Sequence, residues 1–111
     1  MSSGENSGVK IYKNTDVEEI VIAIPDNHVH VRLLIKFKDQ SILINEAVIA
    51  AIVRGYLSIA LDPVRRGIVF KQVVFSKDSV KRGYDTVQLI EIPDSEKQAV
   101  ETITSIVEKT S

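Results

Sequence analysis

With 111 residues, 44% hydrophobic and 26% charged, the chain has the length for one domain and the balance of a water-soluble globular protein. It holds no cysteine, which excludes disulfides, thiolate metal sites and a cysteine nucleophile, and leaves the fold to packing alone. The net charge of −1 hides an asymmetry: residues 54–82 sum to +5, against −2 for residues 1–53 and −4 for residues 83–111.

Ile and Val number fifteen each against six Leu, three Phe, three Tyr and no Trp. Branching at Cβ restricts χ1 and suits a pleated sheet, so much strand is expected. The scarcity of oxidisable residues, with abundant Ile, Val, Lys and Glu, suits a thermophile. No apolar leader opens the chain, and the longest apolar run, Ala47 to Val53, is far too short to span a bilayer. The expectation is a cytoplasmic protein without a membrane contact.

Residues 1–14, rich in Ser, Gly and Asn, read as a flexible tail ahead of a single domain over 15–111. The run Glu18 to Ile24 reads as a first strand, stopped by Pro25-Asp26-Asn27. Val29, Val31, Leu33, Ile35 and Phe37 then alternate with His28, His30, Arg32, Leu34, Lys36 and Lys38. That period of two predicts a second strand, paired with the first as a hairpin.

Lys38 to Ser41 ends the strand. A helix is expected from Ser41 or Asn45, either of which can cap, to about Leu61, where Asp62-Pro63 stops it. Ile42, Val48, Ile49, Ile52, Val53, Tyr56, Leu57 and Ile59 make it apolar on nearly every side. Such a helix needs cover on two sides, and a small domain with one sheet supplies only one. A second copy of the chain is the natural second cover. The small residues Ala47, Ala50 and Ala51, with Arg54 and Ser58, are the expected dimer interface.

A basic loop, Pro63 to Gly67, leads to a third strand over Ile68 to Ser76. A polar connection over 77–85 and a fourth strand over Thr86 to Ile92 make a second hairpin with a long loop. Pro93-Asp94-Ser95 opens a last helix, with Ser95 and Gln98 spaced as a capping box and Ala99, Val100, Ile103, Ile106 and Val107 as its stripe. The order β-β-α-β-β-α predicts an α+β fold: one four-stranded, mainly antiparallel sheet with two helices on one face. Ile-Pro-Asp recurs at 24–26 and 92–94, but a strand follows one and a helix the other, so no repeat is assigned.

The chemistry-bearing residues are few. His28 and His30, two apart on a strand, share a face and with Glu18, Glu19 or Asp26 could hold a transition metal. A pattern of two ligands is unspecific, and the plain alternative is a wet sheet face. The serines lack a nucleophile elbow, the five glycines are dispersed, and Glu18-Glu19 point to opposite faces. No catalytic residues, cofactor or metal are therefore assigned.

The basic segment carries two small patches, Arg65-Arg66 and Lys81-Arg82, each followed by Gly. With Lys77, and with Tyr84 as a stacking ring, they form a candidate contact for DNA or RNA. The alternative is a solvated loop paired with nearby acids. Ile44-Asn45-Glu46-Ala47-Val48-Ile49-Ala50-Ala51, followed by Ile68–Ser76, a basic tip and Thr86–Ile92, resembles in part the Alba family of archaeal nucleic-acid-binding proteins. That resemblance implies nucleic-acid contacts by Lys36, Lys38, Lys81 and Arg82. The chain departs from the family in lacking a second strand–helix unit before the hairpin, in ending on a helix, and in its pI of about 6.1. The leading expectation is a non-enzymatic module that assembles with itself or with another protein. Nucleic-acid binding is the second expectation, and a site at His28 and His30 the third.

Overall fold

A computed structural model describes residues 8–110. The fold is α+β. In chain order it comprises β1 (Val17–Ala23), β2 (Arg32–Phe37), β3 (Ser41–Asn45), α1 (Glu46–Ala60), β4 (Phe70–Val74), β5 (Val87–Glu91) and α2 (Ser95–Thr110), with short 3-10 turns at Asn14–Asp16 and Lys77–Ser79. The chain divides into two compact units, Met1–Glu46 and Ala47–Ser111. No helix among the described residues is long and apolar enough to cross a membrane.

The first unit holds an antiparallel sheet in the order β1-β2-β3. The expected hairpin of the first two strands is present. Its second strand is shorter than the alternation suggested, because His28 to Val31 precede the ladder. The turn closes with the His28 amide donating to the Pro25 carbonyl, 3.0 Å, and puts Asn27 at φ 64. Asn tolerates that left-handed conformation better than most residues.

Ser41–Asn45 is a third strand, not the first turn of the helix. The Phe37 amide donates to the Gln40 carbonyl, 2.8 Å, so Lys38-Asp39-Gln40 is a hairpin turn. Ile42 and Ile44 then pair with Ile35 and Leu33. Two β-branched residues spaced by two, straight after turn chemistry, were the available sign. They were hidden because their apolar run continues into the helix. Register sorts the side chains. Ile20, Ile22, Leu33, Ile35, Ile42 and Ile44 share one face, while Glu19, Lys36, Arg32, Ser41 and Asn45 lie on the other.

Two ties complete this unit. Residues 10–12 lie against the β2–β3 turn: Lys10 pairs with Asp39 at 2.6 Å, and the Tyr12 ring stacks on Phe37. Residues 1–7 of the expected tail lie outside the described residues. At the other end, the Glu46 carboxylate accepts the Val31 amide at 2.6 Å and lies 3.5 Å from His30 Nδ1.

The second unit pairs β4 with β5 antiparallel, as the expected second hairpin. Backbone bonds Phe75 to Thr86 and Ile92 to Val69 extend the ladder at both ends. The five strands therefore form two separate ladders, of three and two, where a single four-stranded sheet was expected. The added strand β3 runs directly into α1, so the order is β-β-β-α-β-β-α.

Ala51 and Gly55 of α1 are buried in this unit. A Cβ on Gly55 would come within 3.2 Å of the Phe70 ring and 3.3 Å of Ile68, so the helix lies close on this segment. Gly67 is tighter: a Cβ there would meet Ala99 Cβ at 2.8 Å and the Glu96 carbonyl at 3.0 Å. Glycine is what lets the 65–67 loop reach the α2 backbone.

Candidate interaction surfaces

The basic loop before β4 is drawn into the fold. Asp62 Oδ1 accepts the amides of Val64 at 2.8 Å and Arg65 at 3.2 Å, a turn that follows from Asp62-Pro63 ending the helix. Those two amides hold the Asp62 carboxyl below its ordinary range. The turn directs the Arg65 side chain at Glu91. The guanidinium pairs with the Glu91 carboxylate, donates to Ser95 Oγ at 3.1 Å, and donates through Nε to the Gly67 carbonyl at 3.1 Å.

Ser95 is buried, with only 3% exposed, and its hydroxyl donates to Glu91 Oε2 at 2.7 Å. The Ser95 hydroxyl, then Arg65, hold the Glu91 carboxyl below its ordinary range. This changes the expected capping box. Ser95 is the first helical residue, and Asp94, at φ 56, precedes it with its carbonyl accepting the Gln98 amide at 3.3 Å. A charged pair is the stronger partner for the hydroxyl than a backbone amide.

Arg65 is thus occupied by its own chain. Arg66 is exposed, while its amide donates to Glu96 Oε2 at 2.8 Å. The other patch is different. Lys77, Lys81, Arg82 and Tyr84 are all exposed in the β4–β5 connection, and no ion pair among the described residues involves the three cations. The Tyr84 amide donates to the Lys81 carbonyl at 3.0 Å, and Gly83 at φ 89 permits that turn. The two patches flank opposite ends of β4, so the structure does not bring Arg65-Arg66 together with Lys81-Arg82. Of the residues drawn in by the family resemblance, Lys36 pairs with Glu19 at 3.2 Å and Lys38 is exposed.

The histidine pair is not on a strand. His28 Nδ1 lies 2.9 Å from the Asp26 carbonyl and His30 faces Glu46, so each imidazole has a different neighbour. Among the described residues no group of three or more His, Asp or Glu is placed to hold a metal ion.

The residues of the expected dimer face of α1 have different surroundings. Ala51 is buried inside its own unit, Ser58 is half-buried, and Arg54 is committed: its guanidinium lies 5.1 Å from the Phe70 ring centroid and donates to the Leu89 carbonyl at 3.3 Å. Arg54 reaches the β4–β5 hairpin on the side where Gly55 lies close to Phe70. Ala47 and Ala50 are exposed. Tyr56 at 69%, Ile52 at 53%, Val53 at 48%, Leu57 at 44% and Val48 at 40% are the large apolar residues of α1 that stand exposed, and of these Val53 and Leu57, with Ala50 one turn before Val53, lie round the helix from Ala51 and Gly55. Reading the sequence missed Val53 and Leu57 because an all-apolar helix gives no sign of which side the parent chain covers.

Comparison with protein-family models, with curated proteins and with solved structures returned no match to the chain.

Proposed function

We propose that the chain is a small non-enzymatic assembly module that joins a second copy of itself through the α1 face of Ala50, Val53 and Leu57. One observation carries this reading: on a helix whose opposite side is buried at Ala51 and Gly55, Val53 and Leu57 stand almost half exposed. Small residues beside branched ones permit close helix approach, and burying aliphatic surface is the main driving force for association. Such a module fits the cytoplasm, where a fold without disulfides meets no disadvantage. Sedimentation over a micromolar concentration series tests the reading. Leu57→Glu and Val53→Glu are expected to lower the association state while leaving circular dichroism unchanged. A wild-type monomer throughout the series would sink it.

A second reading rests on a separate observation, the exposed Lys77, Lys81 and Arg82, without an ion pair among the described residues, with Tyr84 in the same connection. In this reading the β4–β5 tip binds a nucleic-acid backbone, with Tyr84 stacking on a base. Gel-shift titration at two salt concentrations tests it. Binding is expected at low salt and is expected to weaken with Lys81→Ala plus Arg82→Ala. No shift at low salt would dispose of it.

A further inference from the structure

The β4–β5 connection is tied together by its own backbone. The Phe75 amide donates to the Thr86 carbonyl at 2.7 Å, which closes the ladder and leaves residues 76–85 beyond it. Two turns follow one another there. The Ser79 amide donates to the Ser76 carbonyl at 3.0 Å, and the Tyr84 amide to the Lys81 carbonyl at 3.0 Å. Val80 between them is extended and half-buried. At the base, Asp85 Oδ1 accepts the Val87 amide at 3.0 Å and the Asp85 carbonyl accepts from Gln88 Nε2 at 3.1 Å, so this acid is turned back to β5.

The second turn sets a cation beside a ring. Gly83, third in that turn, takes φ 89, and a Cβ there would meet nothing within 4 Å, so glycine serves the turn and not a packing contact. A turn of this kind keeps the Cα atoms of its first and last residues within about 7 Å, so the side chains of Lys81 and Tyr84 start from neighbouring points. Tyr84 is 65% exposed, although burying an aromatic ring is favourable. Lys77, Lys81 and Arg82 have no ion pair among the described residues.

Resting on the second reading above, we infer that this tip binds single-stranded nucleic acid over a few nucleotides. The Tyr84 ring stacks on a base, and Lys77, Lys81 and Arg82 hold the flanking phosphates.

Magnitudes decide between one strand and two. The three cations neutralise at most three phosphates, and a net charge of −1 adds no general attraction for a polyanion. A duplex offers phosphates to the cations and nothing to the ring, because its bases are already stacked on one another. A single strand serves both. Stacking one base on an aromatic ring strengthens binding by about five- to 150-fold, which so small a phosphate contact needs. Every base has a π-face, so little sequence preference is expected. An acidic peptide offers carboxylates to the cations and no flat π-face to the ring.

Fluorescence anisotropy at stepped salt tests this with labelled oligo-dT, oligo-U and a duplex of equal length. Both single strands are expected to bind at least about tenfold tighter than the duplex. Their log affinity is expected to fall with log salt at a slope of about −2, from three phosphates at roughly −0.7 each. Tyr84→Leu is expected to weaken both strands at least about fivefold with the slope kept, and Tyr84→Phe to retain binding. Lys81→Ala with Arg82→Ala is expected to bring the slope to about −0.7. The tighter of oligo-dT and oligo-U tells DNA from RNA, and either supports the assignment. A duplex bound as tightly as the strands, or strand binding indifferent to Tyr84→Leu, overturns the single-strand assignment and leaves a phosphate contact at the tip standing. No binding of any of the three at low salt overturns that contact as well. Competition by polyglutamate as strong as by oligo-dT overturns it in favour of an acidic protein partner. Circular dichroism of each variant, matched to wild type, shows that the affinities compare folded chains.

Discussion

The ring of Tyr12 lies stacked on that of Phe37, with centroids 3.7 Å apart and planes at 16°. The Tyr12 hydroxyl donates to Asp39 at 3.0 Å and accepts from Gln40 Nε2 at 2.7 Å, so one residue fastens the segment before β1 to the β2–β3 turn. Tyr12→Ala is expected to destabilise the protein by about 0.5–1.5 kcal/mol for the ring pair alone. Tyr12→Phe is expected to keep the stacking and lose the hydroxyl contacts. Urea unfolding of both variants checks this. An unchanged midpoint for Tyr12→Ala would show that the segment is not fastened.

Gly67 is a tighter approach than Gly55 in the second unit. Gly67→Ala would place a methyl 2.8 Å from Ala99 Cβ and 3.0 Å from the Glu96 carbonyl, with backbone on one side that cannot move aside. Over-packing of this kind typically costs about 1–3 kcal/mol, and a fall in thermal midpoint is expected. Combining it with Ala99→Gly is expected to recover part of the loss, which a general folding defect would not allow.

Acid is expected to weaken the Arg65–Glu91–Ser95 cluster. The folded Glu91 carboxyl titrates below its ordinary 4.5, through the Ser95 hydroxyl and then Arg65. A group whose pKa is depressed by folding contributes stability above its unfolded value and loses it as pH falls through the folded value. Asp39, held down first by Lys10, and Asp62, held down by the Val64 and Arg65 amides, act in the same direction. Stability is therefore expected to fall as pH drops below about 4.5, with a shallower fall in Glu91→Gln. Denaturant titrations at stepped pH check both slopes.

The two basic patches are expected to separate under mutation. Arg65→Gln removes the partner of Glu91 and should lower the unfolding midpoint, with little effect on any nucleic-acid binding. Lys81→Ala with Arg82→Ala should leave the midpoint within about 0.5 kcal/mol of wild type, as exposed substitutions usually do. Thermal melts and gel shifts on the same preparations read both effects.

Strand content was legible in the sequence to the extent that it depends on local pattern. The alternation from Leu33 to Phe37 marked β2, and turn chemistry at Pro25-Asp26-Asn27 and Asp62-Pro63 marked where elements stop. Local pattern failed at Ser41–Asn45. There Ile42 and Ile44 suit a strand, yet their apolar run continues without a break into α1. Only pairing with Leu33 and Ile35 separates the two. The candidate surfaces were less legible. Lys81, Arg82 and Tyr84 are exposed as a polar loop implies, whereas Ala51 and Arg54, chosen for an interface, are used inside their own unit.

What the chain determined by itself is what neighbours along it decide: β-branched strands, two antiparallel hairpins, two helices, and a helix with too much apolar surface for one cover. These follow from side-chain periods of two and 3.6 and from the backbone limits of Pro, Asn and Gly. Tertiary structure alone decided how the strands divide into two ladders, which side of α1 stays in solvent, and that Arg65 belongs to Glu91. Arg65 and Glu91 are 26 residues apart, and Arg65 and Ser95 are 30 apart. Their meeting depends on where the chain returns, and no period along the sequence encodes that.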